Sequence, residues 1–309
     1  LAVSRTMAKD GTVTKILAGT KLFVLSFVGL FFVVYIYTVN VESAALLKHS
    51  PPLFNHLRHL NYELFFVVVI TFFGILTGSK PLLLSALLFM FVFLAIWSGG
   101  RGTLVAVLAA AGTLILFARH LPVWKLAVIL VLFTLVSTGL ILSTDKHYML
   151  KNTASYTVSK NPKQFSQGRT SIWQNSIVTV KEKGPVAVLT GLGPDAFVRY
   201  QILPGFVHPH NALVQVFMEC GLLGLLVFLY ILLKFALMAI RTVRTSKKPE
   251  HHLAVAVFVG GLVFSLVDGI FHHIGPLAMM VFTFALIRSV SLRADAKQDA
   301  ATKKTYSRA

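Results

Sequence analysis

Apolar runs of about 15–25 residues recur along this chain, each long enough to cross a hydrocarbon core of about 30 Å. Backbone N–H and C=O groups have no water to bond there, so such runs cross as helices that pair them internally. An all-α, polytopic transmembrane bundle follows. Composition agrees. Of 309 residues, 56% are hydrophobic and 13% charged, roughly half the charge of an ordinary soluble domain.

Candidate spans fall at 16–39, 60–77, 81–97, 103–118, 122–143, 211–240, 253–271 and 274–290, eight in all. They divide the chain into five N-terminal spans over 1–143, a long loop over 144–210, three C-terminal spans over 211–290 and a polar tail over 291–309, expected to be disordered. The chain begins with Leu1, and a further N-terminal portion is expected ahead of it.

The 29 Lys and Arg against 11 Asp and Glu give a formal charge of +18. In a soluble chain that excess would suggest nucleic acid. Here two membrane explanations come first, and no nucleic-acid partner is expected: cytoplasmic loops are rich in Lys and Arg, and lipid-linked phosphates need cations on the other side. A cytoplasmic N-terminus puts seventeen basic residues inside and only Lys48, Arg58 and Arg101 in the short outer connections. The positive-inside rule therefore reads N-in and C-in. The long loop, Thr144 to His210, then lies outside with a net charge of +5. The single cysteine, Cys220, excludes an intramolecular disulfide and a cysteine-based zinc cluster.

Connections of this length are usually functional. Arg169 to Lys183 predicts an amphipathic helix, with Trp173, Ile177 and Val180 at i, i+4 and i+7 and Arg169 one turn earlier. Gly184-Pro185 ends it, and Gly191-Leu192-Gly193-Pro194 marks a tight turn. Neither an internal repeat nor a broken span is visible, which disfavours a transporter of lipid-linked anions.

Three residues lead as site candidates. Arg101 stands between two spans in Ser98-Gly99-Gly100-Arg101-Gly102; its planar fork suits a phosphate, and a snorkelling interfacial arginine is the plain alternative. Arg169 opens the loop helix, where unpaired N–H groups attract anions. His210 follows Pro209 and is expected in the first turn of the next span, where the helix dipole disfavours imidazolium and leaves the ring able to take a proton. His208 competes for that role. A rival pair is Asp268 and His272, expected one helical turn apart near the outer end of the seventh span. Glu219 and Arg199 are secondary candidates. Metal-binding signatures are missing: the outer loops contain no DxD pair, and the adjacent pairs His251-His252 and His272-His273 point to different helix faces. Neither a P-loop nor a GxSxG elbow is present.

The order of these features resembles the O-antigen ligase and polymerase superfamily: Ser98-Gly99-Gly100-Arg101-Gly102, then Gly168-Arg169 with Trp173, Gly191-Leu192-Gly193-Pro194-Asp195-Ala196-Phe197, His210-Asn211-Ala212-Leu213, and Glu219-Cys220-Gly221-Leu222-Leu223-Gly224. The resemblance covers about Trp97 to Tyr230 and departs at Gly100, where the family more often has serine. It implies an O-antigen ligase in the bacterial inner membrane with its site facing the periplasm. Such an enzyme moves glycan from undecaprenyl pyrophosphate to lipid A–core, without metal or cofactor and with inversion. Arg101 and Arg169 would hold the pyrophosphate, and His210 would serve the acceptor hydroxyl. An O-antigen polymerase or a protein O-oligosaccharyltransferase is the alternative within the same superfamily.

The lack of a paired-carboxylate motif predicts that glycan transfer persists in excess EDTA. If chelation abolished it and Mg²⁺ or Mn²⁺ restored it, Asp195, Glu219 or Asp268 would have to be metal ligands.

Overall fold

The computed structural model describes residues 60–76, 81–98, 100–117, 123–142, 168–203, 206–246 and 248–306. The candidate span at 16–39 lies outside these. Among the described residues the regular structure is entirely helical. Four apolar helices come first: α1 (Leu60–Leu76), α2 (Pro81–Trp97), α3 (Arg101–Phe117) and α4 (Val123–Leu142). The loop supplies α5 (Arg169–Glu182), α6 (Pro185–Thr190) and α7 (Ala196–Arg199). The chain then returns to the bundle through α8 (Ala212–Thr245), α9 (Pro249–Val267), a 3₁₀ turn over Ile270–His272, and α10 (Ile274–Tyr306).

Seven of the eight candidate spans thus coincide with apolar helices. Two of them, α8 and α9, are long and apolar enough to cross a membrane by length and composition. The polar stretch after Arg293, expected to be disordered, continues α10 as helix to Tyr306.

The main core is built around α9. This helix packs against α3, α10, α8 and α1, and its small residues Ala254 and Ala256 are buried beside the aromatic side chains Phe258 and Phe264. On α3, Ala106, Val107, Ala110 and Leu114 are buried, whereas Val105, Leu108 and Leu116 are exposed. Exposed leucines and valines also line α4 and α8. A water-soluble surface does not present apolar patches of that extent, whereas a lipid-facing one does.

The loop helices form a second, smaller core. Ile172 and Val180 of α5, Ala187 of α6 and Ala196 and Phe197 at α7 close around Met218 of α8. The inward line of α5 therefore runs through Ile172, Ser176 and Val180. Trp173 stands at its margin instead of on it, and its indole donates to the Pro209 carbonyl at 2.9 Å.

One span is broken, contrary to the sequence expectation. Within α8, Gly221 takes φ 65° and ψ −163°, which ends one helix and starts another. The break frees the carbonyls of Met218 and Glu219, and the turn after α6 supplies their partners: Leu192 N–H donates to Met218 at 2.8 Å and Gly193 N–H to Glu219 at 2.9 Å. The two backbones touch. A Cβ at Gly191 would stand 2.4 Å from the Glu219 carbonyl, and one at Gly221 would stand 2.4 Å from that of Leu189. The break sits near the loop end of α8. From Leu222 to Thr245 the helix still extends about 36 Å at about 1.5 Å per residue, more than a hydrocarbon core needs.

Gly221→Ala should therefore destabilise the fold by about 1–3 kcal/mol, because the new side chain meets both a left-handed backbone and a carbonyl. Gly112→Ala, in α3 with open space beside it, should be neutral or stabilise by up to about 1 kcal/mol. Thermal midpoints of the two variants in detergent check the contrast.

Candidate functional site

The helix ends that face the loop carry a network of polar side chains centred on Asp268. Helix α9 stops at Val267, and Asp268 is extended with φ −154° and ψ 175°. The pair Asp268–His272 is consequently not one helical turn apart as expected; Gly269 and the 3₁₀ turn intervene, and the His272 N–H bonds to the Gly269 carbonyl. Asp268 faces His210 instead. Its Oδ1 lies 2.8 Å from His210 Nδ1 and accepts from the Tyr62 hydroxyl and the Gly269 N–H, each at 2.8 Å. Its Oδ2 pairs with Arg169 Nη2 at 3.2 Å. Arg169 also donates to the Val267 carbonyl.

The Asp268 side chain is 16% exposed. Burial alone would raise its carboxyl, but the His210 hydrogen bond and the Arg169 charge outweigh that and hold it well below the usual carboxylate range. With the carboxylate ionised, His210 Nδ1 is the donor. That tautomer leaves Nε2 with a lone pair, the arrangement a general base needs.

His210 is not in the first turn of α8. Asn211 is the N-cap, its side chain accepting from Leu213 and Val214 N–H, so His210 precedes the helix with φ 54°. The dipole argument fails by one residue of capping, and what the structure provides instead is the Asp268 hydrogen bond that orients the ring. Asn211 also donates to the Leu266 carbonyl at 2.9 Å, which docks the start of α8 on the end of α9.

His208 is buried, and its Nδ1 accepts the His210 backbone N–H at 3.2 Å. Burial above all, with the adjacent His210 and His272 rings disfavouring a further proton, pushes it down from 6.5 to about 2. It is a neutral acceptor that supports the left-handed His210 backbone. His272 is exposed, with its ring 4.8 Å from that of His208.

Arg101 is the first residue of α3, at this same end of the bundle. The turn before it is fastened by a residue that the sequence did not single out, Asn61 of α1: Ser98 Oγ donates to the Asn61 side chain at 2.9 Å, and Thr103 Oγ1 to its carbonyl at 3.0 Å. A Cβ at Gly100 would stand 2.3 Å from Asn61 Oδ1, so Asn61 occupies the place of a side chain there. Glycine is the residue that leaves room for Asn61 at this position. Beyond Arg101, a Cβ on Gly102 would meet Val267, whose carbonyl holds Arg169. The two arginines thus flank the end of α9. Tyr62, also missed, stacks on His273 with ring centroids 4.4 Å apart. Nothing but their polarity in an apolar run marked Asn61 and Tyr62.

Of the secondary candidates, Glu219 lies within electrostatic reach of His272. Glu219 accepts from Gln215 beside the α8 break, and Arg199 donates to the Leu192 carbonyl. An apolar cavity of about 250 Å³, lined by Val92, Thr103, Leu104, Val107, Leu130 and Thr134 among others, opens between α2, α3 and α4.

The buried, neutral His208 has a consequence for stability. Unfolded, its ring takes a proton below about pH 6.5; folded, it does not until about 2. The fold therefore loses stability as pH drops below about 6.5, by up to about 1.4 kcal/mol per pH unit. Between about pH 7 and about pH 5 the thermal midpoint should fall, and His208→Asn, whose side-chain oxygen can still accept the His210 N–H, should flatten the fall. An equally steep fall in the variant would acquit this ring.

Comparison with curated proteins gives no match. Residues 86–229 match the family model described as O-antigen ligase. That stretch contains Arg101, Arg169 and His210, whereas Asn61, Tyr62 and Asp268 lie outside it. The family indicates ligase- or polymerase-type, glycosyltransferase-like activity on lipid-linked glycans in a membrane. Residues 86–229 thus carry a domain of the O-antigen ligase superfamily.

Proposed function

We propose that this chain transfers O-antigen glycan from undecaprenyl pyrophosphate to lipid A–core at the periplasmic face of the inner membrane, without metal and with inversion. The observation that supports it most is the His210–Asp268–Arg169 constellation, at the bundle end that also holds Arg101. His210 Nε2 removes the proton from the acceptor hydroxyl, whose oxygen attacks the anomeric carbon from the face opposite the phosphate. The bond from that carbon to the pyrophosphate oxygen breaks, and the leaving group keeps the electron pair. Asp268 steadies the imidazolium that forms. Arg101 and Arg169 stabilise the charge gathering on the pyrophosphate, in a site where low dielectric magnifies their effect. The apolar cavity beside Thr103 has the chemistry to take part of an isoprenoid chain.

Reconstitution with both lipid substrates and no energy source tests the reading. Glycan on lipid A–core supports it; a longer lipid-linked glycan makes the protein a polymerase, and movement without bond formation makes it a transporter. Within that assay, His210→Ala should lower turnover by about 10²–10⁴-fold while donor-lipid binding survives. Asp268→Asn should lose turnover with it, and the double variant should be little worse than His210→Ala, since the two act as one unit. Arg169→Lys should also be impaired, because a point charge replaces a paired fork. A His210→Ala protein within about tenfold of the parent, or a His272→Ala protein far below it, would overturn the assignment of the base.

A further inference from the structure

The loop helices carry an apolar edge that neither core covers. On α6, Ala187 and Val188 turn into the second core, while Val186 and Leu189 face outward at 71% and 48% exposure. Leu189 is also where α6 meets α8, since its carbonyl lies against Gly221. Directly beyond that contact Leu222, Leu223, Leu226 and Val227 are all exposed, so the outward face of α6 adjoins the apolar flank of α8. The rim of this edge has a different character. Tyr200 stands there with Lys183 Nζ 5.1 Å from its ring centroid, and the exposed cations Lys181, Lys183 and Arg199 outnumber the acids Glu182 and Asp195.

We propose that α6 rests in the surface of the bilayer that α8 crosses, with Val186 and Leu189 in the acyl boundary and the cations at the level of anionic phosphate headgroups. Continuity with the apolar flank of α8 selects lipid over a protein partner, and an apolar stripe with a tyrosine and cations at its rim suits an interface. The seat fixes more than α6. The turn that follows bonds the freed carbonyls of α8, so the height of α6 in the membrane sets the height of the break and of the loop core above it. This inference rests on the reading of α8 as a membrane span, not on the glycan-transfer chemistry.

Nitroxide labels at single cysteines test it in protein reconstituted into phosphatidylethanolamine–phosphatidylglycerol liposomes, with Cys220→Ser as background. Val186→Cys and Leu189→Cys report the seat, Leu226→Cys is the bilayer reference, and Asn175→Cys, exposed on α5, is the aqueous reference. Labels at 186 and 189 should collide with oxygen freely and with a water-soluble nickel chelate severalfold less often than the label at 175. Nickel collisions equal to those at 175 would overturn the seat, as would shielding from both reagents, which marks a protein partner. If the label at 226 also met nickel as often as that at 175, the membrane reading beneath would fail.

Discussion

A charge that has lost most of its water has to be compensated on the spot, and Asp268 is where this fold meets that requirement. Its partners come from four places that are far apart in sequence: Tyr62 on α1, Arg169 at the start of the loop helix, His210 ahead of α8, and the Gly269 N–H that follows α9. A charged pair buried in this way adds little net stability over an apolar substitute, yet removing one partner typically costs about 3–5 kcal/mol. The network therefore acts as a selector. It leaves the loop and the helix ends one arrangement in which the carboxylate is satisfied.

The same logic attaches the loop to the bundle. Helix ends leave carbonyls without intrahelical partners. At the end of α9 the Leu266 carbonyl receives Asn211 and the Val267 carbonyl receives Arg169. At the break in α8 the Met218 and Glu219 carbonyls receive Leu192 and Gly193. Apolar contact alone would let the loop helices slide over the bundle. Directional bonds to these carbonyls fix their register, and with it the place of Arg169 and His210.

Local chemistry in the sequence located the apolar helices, the start of α5 at Arg169, and the glycine turns, because hydropathy and glycine act over a few residues. Features set by distant contacts were not legible. His272 looked like the partner of Asp268 because four residues make one helical turn, and the early end of α9 removes that premise. Asn211, the better N-cap, displaced His210 from the helix. Gly221 sits in an apolar run that reads as continuous helix, and only the backbone of Gly191 lying across it accounts for the break. Asn61 and Tyr62 carried no motif. Each is recognisable only once α1 lies beside the end of α2 and the end of α9.

The two constellations that competed in the sequence, an arginine–histidine site in the loop and an acid–histidine site in the last spans, are one network. Asp268 gives one oxygen to His210 and the other to Arg169, so the proposed base and the proposed phosphate anchor share a carboxylate. Under the proposed function this sharing links the two halves of the reaction. A pyrophosphate that engages Arg169 competes with Asp268 for the guanidinium, and whatever charge the carboxylate no longer spends on Arg169 is available to hold the imidazolium that forms as His210 takes the acceptor proton. Donor binding and proton removal are then coupled through a single side chain, which an arginine and a histidine placed independently would not achieve.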